Sequence, residues 1–238
     1  MVALPIADKG RLRDSAGLSY RPQAAHLLPY PAERGVKVPG VITALVAALA
    51  ARDPNTAAHT TRCSRYALKL AEELGLAEEE KSAIWTSSLL HDLGKLAVPD
   101  RVLFKPGPLT EKEWMLMRRH PVTARDILAQ VRGISRAIPT ILHHHEHFDG
   151  SGYPQGLAGD DIPTASRILL VTDAFDAMTT DRPYRKAMPV ETALAELHRN
   201  SGSQFDPTVV GSFVRVLARD GAWPLSPVAA DQADISNT

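Results

Sequence analysis

The chain has 238 residues, enough for one large domain or two small ones and for a substantial core. Its 27 Lys+Arg balance 27 Asp+Glu to a formal net charge of zero, which argues against a general binder of nucleic-acid polymer or of membrane surfaces, since both need a basic excess. Cys63 is the only cysteine, so no intramolecular disulfide forms and a reducing compartment is expected.

Residues 1–40 carry Pro5, Pro22, Pro29, Pro31 and Pro39 among scattered charges, with no sustained period. They are expected to form an arm or linker. The opening MVALPIADKGRLRDS turns charged before an apolar signal core develops, and the apolar stretch Val41 to Ala51 is too short to cross a bilayer. A cytoplasmic protein without membrane attachment is expected. From residue 41 the pattern is helical, with no run of alternating strand residues. Helices are expected over 41–52, 56–75, 77–96, 111–119, 121–131, 134–146, 164–180, 190–200 and 207–218, an all-α bundle. Thr110 and Glu113 make a capping box after the turn-forming Lys105-Pro106-Gly107-Pro108. Gly75 and Gly94 fall where helices stop or loosen. The loop 147–163, rich in Gly, Asp and Pro, is long for a helical domain, and long loops are often functional. Residues 224–238 are expected to be a disordered tail.

Residues 143–154, HHHEHFDGSGYP, concentrate four histidines and two carboxylates ahead of a glycine-rich turn. Other candidates are spread along the helices: His59, the adjacent His91 and Asp92, His120 before Pro121, and Asp173 with Asp176 three residues on. A single helical histidine is ordinarily a core or surface residue, and His26, His143, His147 and His198 are read that way. His91-Asp92 and Asp173 differ in lying inside apolar runs, Ser87 to Leu93 and Ile168 to Asp173. A buried carboxylate there must be neutralised, paired or bound to metal. Imidazoles and carboxylates suit Fe, Mn, Ni or Zn, while a thiolate-rich site is excluded by the cysteine count. A bridging carboxylate with imidazoles from several helices is how a helical bundle builds a two-metal centre.

The order of these residues resembles the metal motif of the HD phosphohydrolase superfamily: His59, then His91-Asp92, then Asp173. His91-Asp92-Leu93-Gly94-Lys95, followed by His144-His145-Glu146-His147-Phe148-Asp149-Gly150-Ser151-Gly152-Tyr153-Pro154, is similar to the HD-GYP signature, HDxGK then HHExxDGxGYP. The likeness also takes in Val98-Pro99-Asp100, Lys105-Pro106-Gly107, His120-Pro121, Arg182-Pro183-Tyr184-Arg185 and Gln204-Phe205-Asp206-Pro207, so an HD-GYP domain over 41–223 is expected. The resemblance implies a metal-dependent phosphodiesterase that hydrolyses cyclic di-GMP to the linear dinucleotide pGpG, to GMP, or to both. It implies that His59, His91, Asp92 and Asp173 hold one divalent ion and that Asp92 bridges to a second held by His120, His144 and His145. Fe or Mn is expected, with Ni or Zn as alternatives. Three-metal members carry Glu where this chain has Asn55, so two ions are expected.

Two metals about 3.5–4 Å apart can generate hydroxide at neutral pH and take up charge developing on phosphorus. On a continuous helix Lys95 lies one turn beyond His91, where it can pair with a phosphate oxygen. Asp176 can orient the nucleophile or a ligand. Arg182 and Arg185 resemble the family's substrate-phosphate contacts and supply the local cations a dianion needs in a neutral protein. Gly150, Gly152, Tyr153 and Pro154 are expected to shape a loop beside the pocket and to offer a surface to signalling partners such as diguanylate cyclase domains. Glu146 is expected to hydrogen-bond a ligating histidine. Residues 1–40 are too short for a receiver domain, so regulation is expected in trans. The rival readings are a hydrolase for another cyclic or linear dinucleotide, and a non-catalytic cyclic di-GMP sensor or scaffold. The sensor reading is disfavoured because all seven ligand positions are filled.

Overall fold

The computed structural model describes residues 12–13, 19–20, 40–181 and 186–221. Leu12–Arg13 (β1) and Ser19–Tyr20 (β2) pair antiparallel, Leu12 opposite Tyr20. This two-residue ladder is too short to leave an alternating pattern in the sequence. Among the described residues the α-helices are α1 Gly40–Arg52, α2 Pro54–Glu73, α3 Glu78–Leu90, α4 Asp100–Leu103, α5 Glu111–Met117, α6 His120–Leu128, α7 Ile138–His143, α8 Thr164–Thr179, α9 Val190–Arg199 and α10 Pro207–Arg219. No helix among the described residues is long and apolar enough to cross a membrane.

The ends follow local chemistry. Asp53 caps α2 by accepting from the Asn55 amide at 3.0 Å, and Pro54 opens the helix where its missing N–H costs nothing, two residues before the expected start. The Thr110–Glu113 capping box forms as expected, the Thr110 amide donating to Glu113 at 2.7 Å. The expected helix 77–96 instead breaks in two. It ends at Leu90 and continues as a 3-10 turn, Leu93–Ala97. The Ser87 and Ser88 hydroxyls donate to the Ile84 carbonyl at 2.9 and 2.8 Å, a back-bonding that bends helices. Helix 134–146 is also shortened: Gly133 takes a left-handed φ of 85° and Pro139 sits in the first turn of α7.

Helix α2 is the spine, packing on α1, α3, α8 and α10. Two apolar clusters lie on its sides. One joins Leu70, Ile84, Val171, Phe175 and Phe213. The other joins Val46, Leu68, Trp85, Leu89, Leu128 and Ile141. Between them, α2, the end of α3, the start of α6, the end of α7 and the middle of α8 bring the candidate residues together.

One glycine makes that convergence possible. A Cβ on Gly94 would lie 1.9 Å from the His120 carbonyl oxygen and 2.8 Å from the Ala124 amide nitrogen. The 3-10 turn after Asp92 therefore presses backbone to backbone on the first turn of α6, which no side chain at position 94 would allow. Ala124, fully buried, fits the same seam.

Candidate metal centre

Three imidazoles are set by the same local device. The Nδ1–H groups of His91, His120 and His144 donate to the carbonyls three residues back, Ser88, Met117 and Ile141, at 2.8, 2.8 and 2.7 Å. A carbonyl only accepts, so each ring is held as the Nδ1–H tautomer with its Nε2 lone pair turned inward. The Nε2 atoms of His120 and His144 face one another at 3.2 Å, and His91 Nε2 is buried with no hydrogen-bond partner. Burial, reinforced by neighbouring imidazoles and Lys95, pushes His120 down to about 4 and His145 to about 3, and holds His144 well below its ordinary value. At neutral pH these rings are uncharged, so two lone pairs meet at 3.2 Å with no proton between them. That is the arrangement a bound cation resolves. His145 completes the group, its ring 4.0 Å from that of His144 and 5.0 Å from that of His120.

On the opposite side His59 is held by side chains instead. Its Nδ1 meets Asp176 at 2.6 Å and its Nε2 meets Asp173 at 3.0 Å. Arg62, one turn along the same helix, forks onto Asp176 with Nε at 2.6 Å and a second nitrogen at 2.9 Å. Burial lowers the His59 pKa, but Cys63 and the two carboxylates together carry it well above the ordinary value. The thiol of Cys63 lies 3.6 Å from the same ring; burial pushes it up to about 11, so it stays neutral. Asp176 thus links His59 to Arg62. Arg62 was missed in the sequence, although its spacing of three from His59 places both on one helix face.

Asp92 joins the two sides. It is 2% exposed; one carboxylate oxygen stands 3.6 Å from His91 Nε2 and the other 3.7 Å from His120 Nε2. Burial opposes its charge, but Lys95, His91, His120 and His59 hold its pKa well below the ordinary range. Lys95, reached through the 3-10 turn and not along a continuous helix, pairs with Asp92 at 2.7 Å. Within each of three sets the donor atoms lie within 4.8 Å of one another: His120, His144 and His145; His59, His91 and Asp92; and His59, Cys63 and Asp173. All seven residues expected as metal ligands thus meet in one place. The donor set is nitrogen and oxygen with one neutral thiol beside it, His91 Nε2 has no hydrogen-bond partner, and the His120 and His144 lone pairs face each other, so the residues fit divalent transition metals.

The loop after His144 is fastened at several points. Glu146 accepts the amides of Gln155, Gly156 and Leu157 at 2.7, 2.9 and 3.1 Å. The expectation that it bonds a ligating histidine is corrected: three converging N–H groups outcompete an imidazole, and Glu146 anchors the loop instead. Phe148 and Asp149 bond the carbonyls of Gln204 and Ser203. Gly150 has a φ of 84°, and a Cβ on Gly152 would lie 2.2 Å from the His147 nitrogen, so both glycines are required by backbone geometry. Tyr153 donates its amide to the His145 carbonyl at 3.1 Å and packs its ring 4.9 Å from the His145 ring; the bond into Pro154 is cis. Burial, then Asp173 and Asp92, raise the Tyr153 phenol, so its ring lies within the field of the centre. Arg182 and Arg185 lie outside the described residues.

The HD domain family model matches residues 44–209. The chain is 45% identical over 180 residues to the cyclic di-GMP phosphodiesterase response regulator RpfG of Xanthomonas campestris pv. campestris, covering 75% of this chain and 48% of that protein. It is 41% identical over 168 residues to the 3'3'-cGAMP-specific phosphodiesterase 2 of Vibrio cholerae, covering 70% of this chain and 32% of that one. The chain therefore spans half or less of the length of these relatives. Among solved structures, Bd1817, a HDG"Y"P protein from Bdellovibrio bacteriovorus, matches with a TM-score of 0.57 at 20% identity, over 67% of this chain and 51% of that one, a likeness of fold. With its histidine–aspartate centre at the seam of the bundle and the two HD-GYP signature segments meeting there, the chain belongs to the HD domain family.

Proposed function

We propose that the segment 41–223 is an HD-GYP phosphodiesterase domain that hydrolyses cyclic di-GMP in the cytoplasm to pGpG, GMP or both. The observation that carries the reading is the placement of Asp92, one oxygen toward His91 and the other toward His120, between two sets of inward-facing donors. His59, His91, Asp92 and Asp173 would hold one divalent ion, and Asp92, His120, His144 and His145 a second. Fe or Mn suits these ligands, Ni or Zn less so. Bound there, the ions would supply hydroxide at neutral pH and Lewis acidity toward a phosphodiester. Asn55 is exposed and Asp53 is engaged in capping α2, so no carboxylate in that turn is free for a third ion.

The protein's own groups do the rest. The backbone carbonyls of Ser88, Met117 and Ile141 keep three imidazoles in the ligating tautomer. Arg62 and Asp176 fix His59. The Lys95 ammonium, beside Asp92 and partly exposed, can oppose charge growing on the phosphoryl oxygens. Arg182 and Arg185 are proposed to hold substrate phosphates, and Gly150 to Pro154 to face signalling partners such as a diguanylate cyclase. Similarity to a 3'3'-cGAMP-specific phosphodiesterase favours one second reading, in which the preferred substrate is that mixed dinucleotide.

The test is metal analysis of protein purified without added metal, then turnover of cyclic di-GMP and 3'3'-cGAMP with products resolved. Two ions per chain and hydrolysis of cyclic di-GMP are expected. Lys95→Ala should keep the metal and lose about 10²–10³ in rate, the usual cost of one transition-state donor. Binding of cyclic di-GMP without hydrolysis under Fe, Mn, Ni or Zn would replace the enzyme by a sensor.

A further inference from the structure

Arg118 follows α5 and is exposed, yet its guanidinium is not loose. Its Cζ stands 5.6 Å from the Tyr153 ring centroid and 5.8 Å from that of Trp114, the residue four positions back. Among the described residues no carboxylate pairs with that guanidinium, although carboxylates hold Arg52, Arg62, Arg125, Arg167, Arg199 and Arg215. An arginine held over aromatic rings without a carboxylate partner keeps its N–H fork for a planar, two-acceptor ligand.

The position of that fork relative to the centre is fixed. Tyr153 is tied to His145 by its amide and by ring packing, and Glu146 fastens the far side of the loop. Arg118 therefore stands one aromatic ring beyond a centre ligand, on the side where Trp114 is 41% exposed and offers a further flat apolar face. Cation fork and aromatic faces together suit a nucleobase more than a second phosphate, because bases stack on aromatic rings and phosphates do not. Guanine presents O6 and N7 as paired acceptors to such a fork, whereas adenine puts an N6 amino donor where O6 would be.

We infer that Arg118, supported on Tyr153 and Trp114, is a specificity-determining residue that reads the O6/N7 edge of a guanine while a phosphodiester of the same cyclic dinucleotide lies at the histidine–aspartate centre. This rests on the phosphodiesterase reading and adds to it a source of base preference that the ligand set cannot supply.

The experiment is steady-state kinetics on the metal-loaded full chain, wild type, Arg118→Ala and Arg118→Lys, with cyclic di-GMP and cyclic di-AMP, alongside metal content and Tm. Arg118→Ala should raise KM for cyclic di-GMP about 10- to 100-fold, more than it lowers kcat, as loss of one bidentate base contact does. The preference for cyclic di-GMP over cyclic di-AMP should collapse by a similar factor while metal content and Tm hold. Lys should not restore it, since an ammonium lacks the fork. An equal loss on both dinucleotides, or full rescue by Lys, would make Arg118 a general cation and overturn the assignment, as would an unchanged KM. If wild type hydrolyses neither dinucleotide, the phosphodiesterase reading fails, and equilibrium binding decides Arg118 by itself. A guanine preference lost in Arg118→Ala supports the assignment, and one retained sinks it.

Discussion

The two sides of the centre orient their imidazoles by different means. His120 and His144 hang from main-chain carbonyls three residues back, as His91 does across the centre in the His59 set, so their orientation is written into the helix ends that carry them. His59 depends on a relay of side chains, Asp176 and then Arg62, contributed by two helices. The electrostatics divide along the same line. Burial among other imidazoles keeps His120, His144 and His145 neutral, whereas Cys63 and the flanking carboxylates favour a proton on His59. One side is thus ready for a cation without rearranging charge; the other exchanges a proton for it. Only a group that serves both sides should fail both at once.

Asp92 is that group. Asp92→Ala should bring turnover to background and strip metal from both sets of ligands, since each loses its shared oxygen. Lys95 would lose its 2.7 Å ion pair with Asp92 as well. Elemental analysis of the purified variant checks this, and retention of two ions per chain would show that the sides do not share a carboxylate.

Gly94→Ala strikes the seam that brings the sides together. The added methyl meets backbone and not a movable side chain, so the cost should reach the upper end of overpacking, about 3 kcal/mol. For a domain of this size that is a fall in Tm of roughly 6–12 °C. Gly40→Ala is the control, because a Cβ there meets nothing within 4 Å. Similar melting of both variants would mean that the bundle yields at this contact.

The opposed electrostatics can be separated by pH in chelator-treated protein. His120 and His145 bind their protons more weakly when folded, at about 4 and about 3, than the ordinary 6.5 expected unfolded. The unfolded chain therefore takes up more protons as pH falls from about 6.5 toward 4, and the stability these residues contribute above that window is lost across it. His59 has the opposite sign: its raised pKa favours the folded state below about 6.5, and that contribution is lost as pH rises through the folded value. Thermal melts should show Tm falling from pH 7 to 4, less steeply in His120→Gln and more steeply in His59→Gln. Parallel curves for the two variants would erase the distinction.

The candidate ligand positions were readable in the sequence because His91-Asp92 and Asp173 lie in apolar runs, and because the resemblance to the HD-GYP order singles out His59, His120, His144 and His145 among the other histidines. The helical class and most helix starts were readable from caps and period. What sequence reading lost depended on contacts between distant segments. Gly94 read as a helix stop, and only its fit against His120 and Ala124 explains it. The break after Leu90 was invisible because residues 77–96 keep enough helical character for one continuous element. Glu146 read as a histidine partner because its neighbours are histidines, while its acceptors were filled by amides nine to eleven residues on. Arg62 carried a usable signal, its spacing from His59, that matters only once Asp176 is known to stand opposite.

Arg62→Ala should have the smallest effect and the most one-sided. Removing the fork leaves Asp176, 2% exposed, with His59 as its one remaining hydrogen-bonded side chain among the described residues. A buried carboxylate stripped of its arginine gains a larger claim on the His59 proton, and a ring that holds a proton on both nitrogens cannot ligate. Loss of such an outer partner typically weakens metal binding about 10- to 100-fold, and here the loss should fall on the His59 side alone. Titration with a chelator should then remove one ion early and the other at the wild-type concentration, where wild type releases the two closer together. Arg62→Lys should recover part of the shift, because charge is restored without the second hydrogen bond. If both ions leave early together, the relay through Asp176 supports the whole centre, and the two sides are not independent.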